Sequence, residues 1–112
     1  MKIRYKIWIE RDDKVLFGRG RDDILKALDE EKSLNAAAKK LGMSYRAAWG
    51  RLKASQERMG IELVRSGEGR KSLELMEQTR AIIDRFEKLE KDVETLLADA
   101  EADFHMLFEE KT

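Results

Sequence analysis

Between Lys39 and Lys71 the sequence holds nine basic residues (Lys39, Lys40, Arg46, Arg51, Lys53, Arg58, Arg65, Arg70, Lys71) against three acids (Glu57, Glu62, Glu68). Ammonium and guanidinium groups at that density suit a polyanion. Within the segment, Ser44, Tyr45, Arg46, Gly50 and Lys53 fall on the first turn and one face of a helix beginning after Ser44. Arg46 can pair with guanine or phosphate, whereas Lys53 suits phosphate as a point charge. Gly50 has no side chain, so a ligand can approach the helix backbone closely. Arg70 and Lys71 close the run Ser66-Gly67-Glu68-Gly69-Arg70-Lys71, whose glycines predict an exposed basic hairpin tip. The formal net charge of zero conceals this bias. Residues 1–75 carry 18 Lys+Arg and 12 Asp+Glu, and residues 76–112 carry 5 and 11, so the two parts are +6 and −6.

Other chemistries find less material. The 112 residues include no cysteine, which removes disulfides, thiolate metal sites and thiol catalysis. His105 is the single histidine, so no usual nucleophile–base pair and no transition-metal cluster can be assembled around it. Glu87, Glu90, Glu94 and Glu101 recur along the C-terminal segment as the solvated face of a helix. Gly67-x-Gly69 is too short for a phosphate loop and precedes a strand rather than a helix. No enzymatic activity, cofactor or metal is expected. The N-terminus lacks the apolar core of a signal peptide, and no stretch approaches the ~18 apolar residues of a membrane span. A soluble, cytoplasmic protein without a membrane partner is therefore expected.

The elements that would position the basic residues follow from periodicity and punctuation. Ile3, Tyr5, Ile7 and Ile9 alternate with Arg4, Lys6, Trp8 and Glu10, which predicts a half-buried strand. Arg11-Asp12-Asp13-Lys14 reads as a turn and Val15-Leu16-Phe17 as the return strand. A helix over Arg21–Glu31 buries Ile24, Leu25 and Leu28 and keeps Asp22 and Asp23 in its first turn, where the dipole favours them. Ser33 caps a short helix from Leu34 to Leu41, closed by Gly42. Ser44 caps a third helix to about Met59, closed by Gly60. That helix turns Ala48, Leu52, Ser55 and Met59 inward, with Arg46, Gly50, Lys53 and Glu57 opposite. Trp49 lies between the faces, where packing on the first helix or the N-terminal sheet is the expected role. Short strands at Glu62–Arg65 and Ser72–Leu75 flank the hairpin tip.

Ala38, Gly42 and Ala48 have the spacing of a helix-turn-helix: a small residue at the crossing, a positive-φ turn, then a small residue on the second helix. From Met76 onward there is neither glycine nor proline. Ile82, Phe86, Leu89, Val93, Leu96 and Ala100 are spaced 4, 3, 4, 3 and 4, and the seam then shifts to Phe104 with Leu107 and Phe108. A domain this small cannot cover a helix about 50 Å long, so a second copy is expected to pair with it along Ile82, Phe86, Leu89, Val93, Leu96, Ala100 and Phe104. The expected fold is mainly α with a small β component: a winged helix-turn-helix with an N-terminal β-hairpin over residues 1–75, then a long dimerisation helix over 76–112.

Ile7-Trp8-Ile9-Glu10, the stretch Gly18 to Leu28, Ser33-Leu34-Asn35-Ala36-Ala37-Ala38, and above all Leu41-Gly42-Met43-Ser44-Tyr45-Arg46-Ala47-Ala48-Trp49 resemble the DNA-binding domain of ModE-type molybdate-responsive transcription regulators, relatives of the LysR-type winged helices. The resemblance spans roughly residues 1–83. It implies a dimer on a palindromic operator in double-stranded DNA. This sequence departs from it in a short wing and in Leu75-Met76-Glu77-Gln78-Thr79-Arg80, where the family has Leu-Thr-Pro-Glu-Gly-Arg. The chain ends in a charged helix without molybdate-binding modules, so a stand-alone DNA-binding regulator is expected and molybdate sensing is not carried over. A winged-helix adaptor, its last helix binding another protein, and a non-specific architectural binder are the competing readings. Charge discriminates: a DNA reader must keep Arg46, Lys53, Arg70 and Lys71 unpaired, whereas an adaptor need not.

Overall fold

The computed structural model describes residues 1–109. Its elements run β1 (Trp8–Arg11), β2 (Lys14–Gly18), α1 (Asp23–Glu31), α2 (Leu34–Lys40), α3 (Tyr45–Met59), β3 (Val64–Ser66), β4 (Leu73–Leu75) and α4 (Glu77–Glu109). This is a winged helix-turn-helix with two small antiparallel hairpins. Two compact units emerge: Trp8–Ile83, and Met1–Ile7 together with Asp84 onward.

In the first unit, β1 and β2 pair from Trp8↔Gly18 to Arg11↔Lys14 through a two-residue turn. Asp12 and Asp13 both take positive φ, 54° and 64°. That is the type I′ geometry whose twist matches a hairpin, and aspartate tolerates it better than most residues. Three helices then close over one core. Ile24, Leu25 and Leu28 of α1, Ala37 of α2, Ala48 and Leu52 of α3, and Leu63 are fully buried. The core faces of α1 and α3 are thus the ones their periodicity predicts. Thr79, also buried, donates its hydroxyl to the Leu63 carbonyl at 2.8 Å, and the Met76 amide donates to the same oxygen at 3.0 Å. Arg80 grips both carboxylate oxygens of Asp29, at 3.0 and 2.6 Å.

Two expectations need correction here. Helix α1 begins at Asp23, not Arg21, and Asp22 stands outside the first turn. Asp22 is buried, and its carboxylate accepts from the Gly18 amide (2.9 Å), the Ser55 hydroxyl (2.7 Å) and Arg58 Nη2 (2.5 Å). A buried carboxylate survives only with partners of that number and charge, so Asp22 ties the root of the N-terminal hairpin to the end of α3. The strand expected over residues 3–10 is confined to Trp8–Arg11, because β2 is only five residues long and offers no partner to anything before Trp8.

In the second unit, Ile3 and Ile7 are half-buried, and the Ile3 amide donates to Glu101 Oε2 at 3.0 Å. Helix α4 is 33 residues of unbroken helix, about 50 Å at 1.5 Å per residue. Along its apolar seam Phe86 is buried, Ile82, Leu89, Val93 and Ala100 are half-buried, and Leu96 and Phe104 are 67% and 46% exposed. Met106, Leu107 and Phe108 are each about as exposed as Leu96. The rings of Phe104 and Phe108 are neighbours at 6.4 Å. No helix among the described residues is long and apolar enough to cross a membrane.

Candidate nucleic-acid interface

The site is built on two serine caps and one glycine turn. Ser33 Oγ accepts from the Ala36 amide and Ser44 Oγ from the Ala47 amide, both at 3.1 Å, each satisfying one of the donors a helix start leaves open. Between the helices, Gly42 adopts φ +69°, its amide donating to Lys39 O and that of Met43 to Ala38 O. A side chain at residue 42 would have to adopt a left-handed conformation that costs roughly 1–2 kcal/mol. Ala37, Ala38 and Ala48 are essentially fully buried where α2 and α3 meet, as their size requires. This packing leaves the first turn and one face of α3 in solvent.

Each residue expected at the site is exposed: Ser44, Tyr45, Arg46, Gly50 and Lys53 on or before α3, and Arg70 and Lys71 on the wing. Ser44 accepts through its oxygen as a cap, so its hydroxyl proton remains available to a ligand. A methyl group built on Gly50 would meet nothing within 4 Å. Glycine inside a helix costs about 0.5–1 kcal/mol relative to alanine, and no packing within the chain calls for it at this position.

The wing is shaped by a short circuit. The Gly67 amide donates to Ser72 O at 2.8 Å, and a Cβ on Gly67 would lie 2.4 Å from Ser72 Oγ. Lys71 takes a left-handed φ of 59° at the tip. The Leu73 amide and the Ser72 hydroxyl both reach the carbonyl of Lys32, the left-handed residue that ends α1. Wing and α3 flank a groove of about 860 Å³ into which Tyr45, Trp49, Asn35, Arg70 and Lys71 project. Arg46, Gly50 and Lys53 lie outside that lining, on the exposed surface of α3.

Trp49 therefore departs from its expected packing role: it is 49% exposed and lines the groove. Its position one turn after Tyr45 is the signal that would have found it, since residues four apart share a helix face.

The basic residues separate into two groups. Arg51 pairs with Asp23 (3.1 Å), Arg58 with Asp22 (2.5 Å), Arg65 with Glu74 (2.7 Å), and Lys40 with Glu30. The Glu30 carboxylate raises the Lys40 pKa above its ordinary value. The side chains of Lys39, Arg46, Lys53, Arg70 and Lys71 make no hydrogen bond or ion pair among the described residues. No group of three His, Cys, Asp or Glu able to hold a metal ion occurs among them either.

The profile of bacterial regulatory helix-turn-helix proteins of the lysR family matches residues 23–81, and the chain belongs to that family. It thus carries the DNA-binding domain of a class of transcription regulators, which is not a class of enzymes. The fold is similar to the CbnR DNA-binding domain solved in a complex with DNA (TM-score 0.58, 17% identity, 78% of this chain and 98% of that one). It is equally similar to the BenM DNA-binding domain in complex with benA site 1 DNA (TM-score 0.58, 19% identity, 77% and 94%). Full-length LysG from Corynebacterium glutamicum aligns at TM-score 0.53 and 21% identity over 81% of this chain, which spans only 29% of that protein. No curated protein matches the sequence.

Proposed function

We propose that this chain is a sequence-specific DNA-binding regulator that acts as a homodimer, with α3 as the recognition helix in the major groove. The observation that carries this reading is the sorting of the basic residues. Of the nine basic residues between Lys39 and Lys71, Arg46 and Lys53 on α3, Arg70 and Lys71 on the wing, and Lys39 are left without side-chain partners among the described residues, and the first four of these are the ones a duplex would meet. Ser44, Tyr45, Arg46 and Gly50 approach base edges and the backbone, while Lys53, Arg70 and Lys71 meet phosphate or the minor groove beside it. The uncrowded Gly50 supports a close approach of the DNA backbone to α3. That the structurally similar CbnR and BenM domains were solved in complexes with DNA supports DNA as the partner.

Division of labour follows from charge and apolar pattern. Residues 1–75 read DNA, and residues 76–112 pair two copies along Ile82, Leu89, Val93, Leu96, Ala100 and Phe104, with Phe86 bracing the helix from within. Two recognition helices then enter successive major grooves about 34 Å apart, and the acidic helix stays away from the duplex. Within the family, the Gly42–Trp49 run supports a ModE-type recognition unit. The protein works in the cytoplasm, where its operator is.

Fluorescence anisotropy on a pool of genomic fragments, at two salt concentrations, tests the reading. Wild-type chain selects fragments with a steep salt dependence, and the Arg46→Ala/Lys53→Ala variant loses that selectivity. Binding that ignores both sequence and mutation would overturn it in favour of an adaptor or an architectural role.

A further inference from the structure

Helix α3 carries two large aromatic side chains that its own chain leaves uncovered. Tyr45 is 57% and Trp49 49% exposed, and neither the phenol hydroxyl nor the indole N–H makes a hydrogen bond among the described residues. A large ring left open on a helix face marks a contact surface, and tryptophan is enriched among the residues that anchor interfaces.

Its place on the helix says what Trp49 meets. Residues three and four apart are neighbours on a helix surface. Trp49 is therefore bordered by Tyr45 and Arg46 one turn before it and by Lys53 one turn after, with Gly50 next in the chain. Those are the α3 residues proposed to face the duplex, and Trp49 stands in their middle. Arg70 and Lys71 of the wing line the same groove as the two aromatic rings. A DNA strand lying there sets its phosphates against the cations and turns its base edges toward the rings.

The chemistry of base edges narrows the choice. In the major groove, guanine, adenine and cytosine present hydrogen-bonding groups, and thymine alone adds a methyl group, on C5 beside its O4 acceptor. An indole pressed on a hydrogen-bonding edge strips its water and returns at most one bond, leaving the remaining groups unpaired at a cost. Pressed on the methyl, it covers apolar surface with apolar surface. We infer that Trp49 is a specificity-determining residue that reads thymine, its ring covering the 5-methyl group of one thymine in each half-site. This rests on the proposed function, with α3 in the major groove, and adds to it a base preference carried by shape and apolarity instead of charge.

The test removes the methyl and nothing else. In a labelled duplex taken from the fragments that wild type selects, each thymine is replaced in turn by deoxyuridine, and binding is followed by anisotropy. At one position per half-site wild type loses about fourfold, the worth of one buried carbon, and 5-bromodeoxyuridine, whose halogen fills the same space, restores binding to within about twofold. Trp49→Ala binds the thymine duplex about tenfold less tightly and no longer distinguishes it from the uracil duplex at that position. Trp49→Phe, which keeps an apolar ring, still does, and Arg46→Ala binds more weakly but keeps the thymine preference. A second readout comes from the chain's two tryptophans, because Trp8→Phe leaves Trp49 as the only indole. The selected duplex shields its fluorescence from acrylamide, and a duplex of scrambled sequence does so less.

Selective binding in which no thymine methyl matters, or in which its loss is felt equally by wild type and Trp49→Ala, overturns the inference and leaves the DNA-binding reading standing. So does selective binding with Trp49 as open to acrylamide as in the free chain. A wild type that selects no fragment overturns the proposed function, and this inference with it.

Discussion

The crossing of α2 and α3 and the distal half of α4 carry equally regular apolar patterns and meet opposite fates. At the crossing, Ala37, Ala38, Ala48 and Leu52 are at most 1% exposed. In the distal half of α4, Leu96, Leu107 and Phe108 are 67–70% exposed on an equally well-formed helix. Periodicity states that a face is to be covered; it does not state by what. Where the chain returns on itself within a few residues, through Gly42, the cover comes from the same chain. Where a helix runs on for 33 residues without a turn, it does not.

The sharpest way to break this comparison is a pair of truncations. Leu52→Ala should cost about 2–5 kcal/mol in urea-induced unfolding, with the slope unchanged. Leu107→Ala should change the stability of the dilute chain by less than about 0.5 kcal/mol while weakening its self-association in sedimentation. Equal costs for the two would mean that α4 is already covered. Next comes Arg58→Met, which strands the buried Asp22 carboxylate: about 3 kcal/mol of stability should be lost, and Asp22→Asn in the same chain should recover part of it. Arg46→Ala should leave unfolding unchanged but weaken selected DNA by about 1–3 kcal/mol if it pairs with a base, and weaken all fragments alike if it touches only phosphate. Gly50→Ala should separate fold from function most directly. Stability should rise by about 0.5–1 kcal/mol, and DNA affinity should fall. A rise in both would remove close backbone approach from the account.

The smallest effect concerns pH. Arg80, bonded through two nitrogens, outweighs the burial of Asp29 and holds its carboxyl below the ordinary carboxylate value, with Lys32 assisting from 3.7 Å. Because the folded-state pKa is depressed, the bridge contributes fully above about pH 4, the unfolded carboxylate range, and its contribution is lost as pH falls further. Wild type should lose a few tenths of a kcal/mol more than Arg80→Met on going from pH 6 to pH 3, the scale of a half-exposed pair. An equal acid response in the two chains would remove the bridge from the ledger.

Features decided by neighbours in sequence were legible. Ser33, Ser44, Gly42 and Gly60 each act within four residues, and the structure uses all four as their types suggest. Features decided by distant partners were not. Asp22 looked like a first-turn acid because its partners Ser55 and Arg58 are 33 and 36 residues away. The nine basic residues looked alike until Asp22, Asp23, Glu30 and Glu74 claimed four of them. Trp49 looked like a packing residue because the helical wheel places it between two faces, and only the returning wing gives that side a groove. The alternation from Ile3 to Glu10 predicts one half-buried strand, but only its end, from Trp8, is strand, because the length of a strand is set by its partner and β2 is short.

The double hold on the Lys32 carbonyl has one further consequence. Both bonds lie at the foot of the wing, on Ser72 and Leu73, and the pairing of Val64 with Leu75 closes the other side. The segment between Gly67 and Lys71 is therefore a cassette set in a rigid frame. Longer or differently charged tips grafted there should leave the thermal unfolding of the domain unchanged, which would let the wing tip vary independently of α3.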